Sequence, residues 1–412
     1  MNLSLAKDIT PSHLEADAID FHDIVSRRQS RTIELQSQLM KLLAKMQIAV
    51  IYGGDKEQDG AVIHRSHNPR SWKSYQPVAQ DIADSLQRLG AENVCVLPDD
   101  MQLGAKLAER DIDFAWLNTG GVQGFASVSH AASLLEMLGV PYVGHDPLNC
   151  AIMDSKHCFK RQMVGAGIPT ARFITWHDSE GDFHPDDHQR FGKVFNGYDG
   201  PFIVKPVSGR ASLNVEYVES RADLSRVMAE VFEITQNFIL VEQYLSGREF
   251  CIAACGPITA RGGELQRRGE PFTFAPIERA LQPDERIFTS MDHKPITGDR
   301  IRLLDPVHEA AIVENLHALA RSVVNELDIE TLIRLDVRAD DEGNLYVLET
   351  NPKPDLKAPT KDGVISIISA GLAQYGMSYD DLILSLLADK VDVLMSRRRG
   401  SIHHLLSLLE AN

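Results

Sequence analysis

The sequence predicts a chain of mixed α/β and α+β class, with a doubly wound parallel-sheet domain followed by two α+β subdomains. Three observations predict it. Between residues 48 and 143, β-rich apolar runs alternate with helical periods long enough for βαβ crossovers. From residue 201 onward, strand-like runs follow one another closely, "PFIVKP", "NVEYV", "FILVEQYL" and "EFCIAACG", as in an antiparallel sheet. And 412 residues are too many for one simple core, so two or three domains are expected.

Taken in order, residues 1–46 read as a polar extension ending in a helical run, "RRQSRTIELQSQLMKLLAKM". "IAVIYGG" is the first strand, stopped by two glycines. The helix "PVAQDIADSLQRLG", the strands "NVCVLP" and "FAWLN", the helix "SVSHAASLLEMLG" and the strand "VPYVG" complete a parallel domain over 47–150. The helical stretch "NCAIMDSKHCFKRQMVGAG" leads into a central subdomain, 151–245, which carries a polar surface loop over 177–200. A C-terminal subdomain, 246–390, holds an irregular region over about 257–302. A loop of that length in a compact domain points to a lid or binding loop. The helix "DPVHEAAIVENLHALARSVVNELD", a hairpin and further helices follow. Residues 391–412, "VDVLMSRRRGSIHHLLSLLEAN", end the chain as a basic tail in which His403 and His404 read as solvated.

The composition is that of an ordinary globular protein, 43% apolar and 24% charged. A formal charge of -16 argues against nucleic-acid and anionic-membrane partners, which want a basic face. It leaves room for a local basic pocket. The five cysteines are scattered without CxxC pairs and read as reduced core thiols. The first residues contain no apolar export segment and no run reaches about 18 apolar residues, so a cytoplasmic location is expected.

The chemistry begins in "LIRLDVRADDEGNLYVLETNP". A hairpin turning at 341–344 places Asp336 opposite Glu349 and Arg334 opposite Asn351, all four on one face. Ile333, Leu335, Val337, Tyr346 and Leu348 fall on the other, and a bulge would shift this register. Like charges directly opposed in a sheet destabilise it, so something cationic should sit between them. Two carboxylates and an amide oxygen are hard ligands suited to Mg²⁺. An isolated hairpin of this kind also reads as an exposed acidic face with Arg334 as its salt-bridge partner.

Two upstream lysines add to it. Lys205 ends the apolar run "PFIVK" just before a Pro and a Gly/Ser-rich turn, where an ammonium and loop amides can meet phosphate oxygens. Lys156 lies in "MDSKHCFKR". Glu242 and Glu249 flank the short connection in "LVEQYLSGREF", where carboxylates can accept from an adenine amino group and ribose hydroxyls. Alone, each lysine also reads as a surface residue and each glutamate as a solvated strand edge.

Together, "MDSKHCFKRQMVGAGIPT", "FIVKP", "VEQYLSGREF" and "IRLDVRADDEGNLYVLETNPKPDL" resemble the ATP-grasp superfamily, in its D-alanine–D-alanine ligase-like branch. The resemblance runs from about residue 48 to 387. It implies an ATP-grasp fold with the nucleotide between two antiparallel sheets. It also implies an ADP-forming, cytoplasmic carboxylate–amine ligase that makes an amide or peptide bond through an acyl phosphate. It implies ATP and Mg²⁺, or Mn²⁺, as cofactors, small acid and amine substrates, and a homodimer. Residue by residue, it places Lys156 and Lys205 on the nucleotide phosphates. Glu242 with the backbone of Gln243, Tyr244 and Leu245 would line the adenine, and Glu249 would hold the ribose. Asp336, Glu349 and Asn351 match the metal ligands. Arg334 matches the arginine on the acyl phosphate and tetrahedral intermediate, and Lys294 matches a lid lysine near the γ-phosphate.

The acceptor half departs from that pattern. The loop after Lys205 reads "KPVSGRASLNV", with Arg210 and Ala211 where a glycine and a substrate-contacting serine are expected, followed by Ser212. Asn351 is followed by "PKPDLKAPT", which puts Asp355 where a glycine amide would help hold an oxyanion. The expectation is therefore an amino acid or small peptide other than D-alanine as substrate, with Arg210, Ser212 and Asp355 in its contact. Arg210 can hold a carboxylate through two parallel hydrogen bonds, or fold back onto Glu216. The alternatives are a D-alanine–D-alanine ligase of cell-wall synthesis with a divergent loop, and a nucleotide-dependent non-catalytic binding protein.

Overall fold

The first β-rich run, Gln47–Gly53, is β1 and lies inside a four-stranded parallel sheet. The order is β2-β1-β3-β4, where β2 is Asn93–Asp99, β3 Phe114–Asn118 and β4 Tyr142–Val143. Side chains of β1 alternate between two cores, as a strand buried on both faces requires. Ile48 and Val50 pack with α1 (Phe21–Lys45) and α2 (Gln76–Arg88). Ala49 and Ile51 pack with α3 (Leu103–Glu109) and α4 (His130–Leu138). The computed structural model describes residues 21–67, 72–282, 285–287, 300–359 and 366–410.

Helix α1 corrects the expectation of a polar extension. Its Leu35, Leu39, Leu42 and Leu43, with Met46 just beyond, are buried at helical spacing. Each buried leucine contributes about 1.5–3 kcal/mol. The polar residues between them dominate the composition of the segment and hide the stripe. The basic tail is also packed: Ile402 and Leu405 are fully buried in the same core, and His404 Nε2 lies 3.0 Å from the Asp113 carbonyl.

The helical stretch around 149–167 is two helices, α5 (Pro147–Asp154) and α6 (Lys156–Gly165). Ser155 breaks them with an extended backbone, and its hydroxyl accepts from the Cys158 amide at the start of α6. Next comes a four-stranded antiparallel sheet, order β5-β8-β6-β7. Its strands are β5 (Phe173–Trp176), β6 (Phe202–Pro206), β7 (Glu216–Val218) and β8 (Ile239–Gln243). Helices α7 (Gln189–Val194) and α8 (Leu224–Thr235) cover one face through Phe191, Val227 and Val231.

The second antiparallel sheet has the order β14-β13-β9-β15-β16, with β12 also pairing β9. It comprises β9 (Glu249–Cys255), β12 (Phe272–Thr273), β13 (Ile277–Arg279), β14 (Ile301–Leu303), β15 (Ile333–Ala339) and β16 (Leu345–Asn351). A small hairpin, β10 (Ile258–Arg261) with β11 (Glu264–Arg267), stands apart. Helix α9 (Ala310–Glu326) covers one face, and α10 (Ile367–Ala370), α11 (Tyr379–Arg397) and α12 (His403–Glu410) close the chain. The described part of the region expected to be irregular thus contains five short strands. Its pieces are two to four residues long, too short for periodicity to register.

The β15–β16 ladder pairs Arg334 with Asn351 and Asp336 with Glu349, then shifts register between Asp336 and Val337. The bulge corrects the far end of the expected pattern. Val347, not Leu348, enters the core, and Leu348 turns to the site. No helix among the described residues is long and apolar enough to cross a membrane. Of the five free cysteines, Cys150, Cys251 and Cys255 are buried, whereas Cys158 is exposed.

Candidate active site

A cleft opens between the two antiparallel sheets. Ile203, Lys205 and Gln243 line it from one side, and Glu249, Arg279, Asp336, Arg338 and Glu349 from the other. The break at Ser155 sets Lys156 at the start of α6, and its amide donates to the Val207 carbonyl at 3.0 Å, just past β6. That bond brings Lys156 beside Lys205. Its ammonium lies 3.3 Å from Glu349 Oε2.

Behind these groups is a buried triad. Glu242 Oε1 pairs with the Lys205 ammonium and Oε2 lies 3.0 Å from Lys160 Nζ. Burial works to raise the Glu242 carboxyl, but the two ammonium groups outweigh it and hold the carboxyl at about 2. The lysines diverge. Burial pushes Lys160 down, with the nearby Lys205 charge adding to the effect. Lys205 is buried too, yet Glu242, Glu349 and Glu249 together hold it up. Both Glu242 oxygens are thus engaged by ammonium groups. The amides of Gln243 and Tyr244 likewise donate to the Arg172 and Pro201 carbonyls.

The charges on the facing sheet lie in rows across its strands. Arg279, Glu249 and Arg338 are paired in register on β13, β9 and β15. Arg279 donates to Glu249 Oε1 at 2.9 Å, and Arg338 to Oε2 at 3.3 Å. In the next row, Cys251, Asp336 and Glu349 are in register. Burial raises Asp336, but Arg279 and Arg334 hold its carboxyl well below the usual range. The opposed carboxylates therefore have nearby counter-charges in the protein itself, two guanidinium groups on Asp336 and an ammonium on Glu349.

The cleft continues into a second cavity of about 420 Å³, sharing Arg210, Ser212, Arg279, Asp336 and Glu349 with it. Arg334, Asn351 and Asp355 line only the second cavity, with Lys73, Lys353 and Lys357. Six cationic side chains there face three carboxylates, in a chain of net charge -16. The Lys353 ammonium sits 3.3 Å from the centre of the Tyr75 ring and Lys73 lies 5.6 Å from it. The altered loop is strained, since Ala211, Ser212 and Asn214 all take left-handed backbone angles. Leu245 also lines the first cavity, and Lys294 lies outside the described residues.

Every other candidate nucleotide, metal, catalytic or substrate residue thus lines one or both cavities. Sequence reasoning missed Lys160, Arg279, Arg338 and the three lysines. Lys160 carried a signal, one helical turn beyond Lys156. Arg279 carried none, because it closes a three-residue strand in a region read as loop.

For a divalent ion, Glu349 and Asn351 fit. Glu349 is half-buried at the cavity wall, and Asn351 supplies a hard amide oxygen on the same face. As placed, Asp336 does not fit, because each of its oxygens already accepts from guanidinium nitrogen. Among the described residues no three His, Cys, Asp or Glu side chains converge as a metal cluster.

Comparison with known proteins identifies the family and fold. The profile of the family described as D-ala D-ala ligase C-terminus matches residues 163–388, over half of the chain. A D-alanine–D-alanine ligase of Marinomonas sp. (strain MWYL1) is 25% identical over 351 residues, 84% of this chain and 96% of the relative. Another, of Pseudomonas putida (strain GB-1), is 26% identical over 84% of this chain and 93% of its own. The crystal structure of D-alanine–D-alanine ligase from Bacillus anthracis complexed with ATP superposes with a TM-score of 0.59 at 20% identity. It covers 84% of this chain and 97% of that one. The chain therefore belongs to the D-alanine–D-alanine ligase family, as an ATP-grasp ligase.

Proposed function

We propose that this ADP-forming acid–amino-acid ligase phosphorylates the carboxylate of one amino acid with ATP and then joins it to the amine of a second. The observation that carries the reading is the wall shared by the two cavities, where Asp336, Glu349, Arg279 and Arg210 face both. A phosphate donor in one cavity and a carboxylate in the other would meet there. The curated relatives are D-alanine–D-alanine ligases, and their names support D-alanine on both sides.

Each residue has work in this scheme. Lys156 and Lys205 bind phosphate oxygens, and Glu242 keeps Lys205 oriented and charged. Arg334 stabilises charge growing on the reacting carboxyl as its oxygen attacks the γ-phosphorus and ADP leaves. The amine then attacks the acyl carbon and phosphate departs with the original carboxylate oxygen. Mg²⁺, or Mn²⁺, held by Glu349 and Asn351 would screen the phosphate charge during transfer. The central and C-terminal subdomains of this scheme are 151–245 and 246–390, and Lys294 is its lid residue. A homodimer belongs to the same reading, supported by the resemblance alone and tested by sedimentation.

A second reading is favoured by one observation, the cationic second cavity. Arg210, with Lys73, Lys353 and Lys357 on the same wall, suits a substrate with a carboxylate beyond the two that the reaction uses. ADP release measured over D-alanine, other neutral amino acids and dicarboxylic amino acids separates the two. Efficient D-alanyl-D-alanine synthesis supports the first. Weak turnover of D-alanine beside strong turnover of an acidic partner supports the second.

A further inference from the structure

Arg279 closes β13 and borders both cavities. It is 7% exposed, and it joins two carboxylates that the family resemblance gives to the ribose and the metal, Glu249 and Asp336. One terminal nitrogen donates to Glu249 at 2.9 Å and the other lies 3.2 Å from Asp336 Oδ2. Arg334 grips the same carboxylate with both arms of its fork, at 2.8 Å to Oδ1 and 3.0 Å to Oδ2. The Cys251 thiol donates to Oδ1 at 3.3 Å. An ionised carboxylate offers about four acceptor positions. Asp336 accepts three hydrogen bonds and has the Arg279 guanidinium as a fourth contact.

We infer that Arg279 and Arg334 are the permanent counter-charge of Asp336, so that the site takes one divalent ion per nucleotide, on Glu349, and none on Asp336. The inference rests on the ligase reading and deepens it. A metal at Asp336 would have to displace the Arg334 fork and leave that buried guanidinium without its carboxylate, which costs about 3–5 kcal/mol. Glu349 carries no such lock. It lines both cavities and, among the described residues, pairs with one ammonium at 3.3 Å.

The test counts bound Mn²⁺ by electron paramagnetic resonance on the full chain with a saturating nonhydrolysable ATP analogue. The parent is expected to bind one ion. Arg334→Met, which leaves Asp336 Oδ1 with only the Cys251 thiol and Oδ2 with only Arg279, is expected to bind two. Glu349→Gln should weaken the parent's ion by at least about 10-fold, the lower range even for an outer-shell partner, and Asp336→Asn should leave its affinity within about threefold. Two ions on the analogue-loaded parent would overturn the inference alone and leave the ligase reading standing. So would equal losses in Asp336→Asn and Glu349→Gln, a comparison that decides the matter even if Arg334→Met does not fold. Failure of the parent to bind the analogue at all would overturn the ligase reading and this inference with it.

Discussion

Replacing Glu242 with Gln keeps the size of the side chain and removes the charge that Lys160 and Lys205 share. The three side chains are 0%, 3% and 6% exposed for Lys160, Glu242 and Lys205, so water screens almost nothing. Removing one partner of such a buried set costs about 3–5 kcal/mol, because the remaining charges stay buried without compensation. The carboxyl gives a second route to the magnitude. Its fall from 4.5 to about 2 on folding corresponds to about 3 kcal/mol at 1.36 kcal/mol per pH unit. The sign follows from linkage: a carboxyl depressed by folding stabilises above its unfolded value and loses that contribution as pH falls through about 2. Urea unfolding without nucleotide is the assay, with fluorescence of Trp176, buried in the same sheet as Glu242, as the probe. At pH 7 the variant should lose about 3 kcal/mol, and the gap should narrow as pH drops below 4.5. Because ATP phosphates can replace the lost anion, nucleotide should stabilise the variant more than the parent. A loss under about 1 kcal/mol at pH 7, or a gap that does not change with pH, would refute the reasoning.

Two further outcomes follow from other parts of the molecule. Under the acidic-substrate reading, Arg210→Gly should raise the Michaelis constant for the acid or amine about 10-fold or more while that for ATP moves little, as expected for a lost charge-assisted fork; steady-state kinetics with each substrate varied checks it. Asp389 lies 2% exposed against the Ile258 amide, and burial pushes its carboxyl up to about 7. An acid raised by folding destabilises as pH climbs from its unfolded value to the folded one, so Asp389→Asn should gain in melting temperature relative to the parent at pH 8 and gain less at pH 5.

Much of the site was legible because its residues are tied to strong local patterns. Asp336 and Glu349 sit among apolar β residues with a Gly turn between them, and pairing them needs only the period of a strand. Lys205 is legible because it closes an apolar run, one residue before the end of β6. The parallel domain follows from alternation of strand and helix, which is a long-range signal repeated several times. What escaped depends on tertiary placement. Arg279 matters through Glu249 and Asp336, 30 and 57 positions away, and no local pattern marks it. The core role of α1 escaped because a stripe of five apolar positions was read through its polar neighbours. The bulge after Asp336 escaped because a one-residue slip leaves no mark in composition.

The central claim is that a carboxylate oxygen attacks the γ-phosphate and leaves with the released phosphate. Incubating the enzyme with ATP, an amine and an acid labelled with ¹⁸O in its carboxylate tests this directly, using whichever pair gives the fastest turnover. Mass spectrometry of the products should find ADP, an amide and one ¹⁸O in each phosphate released. Label carried into AMP, with pyrophosphate instead of ADP, would mean adenylation of the acid and would contradict the acyl-phosphate route.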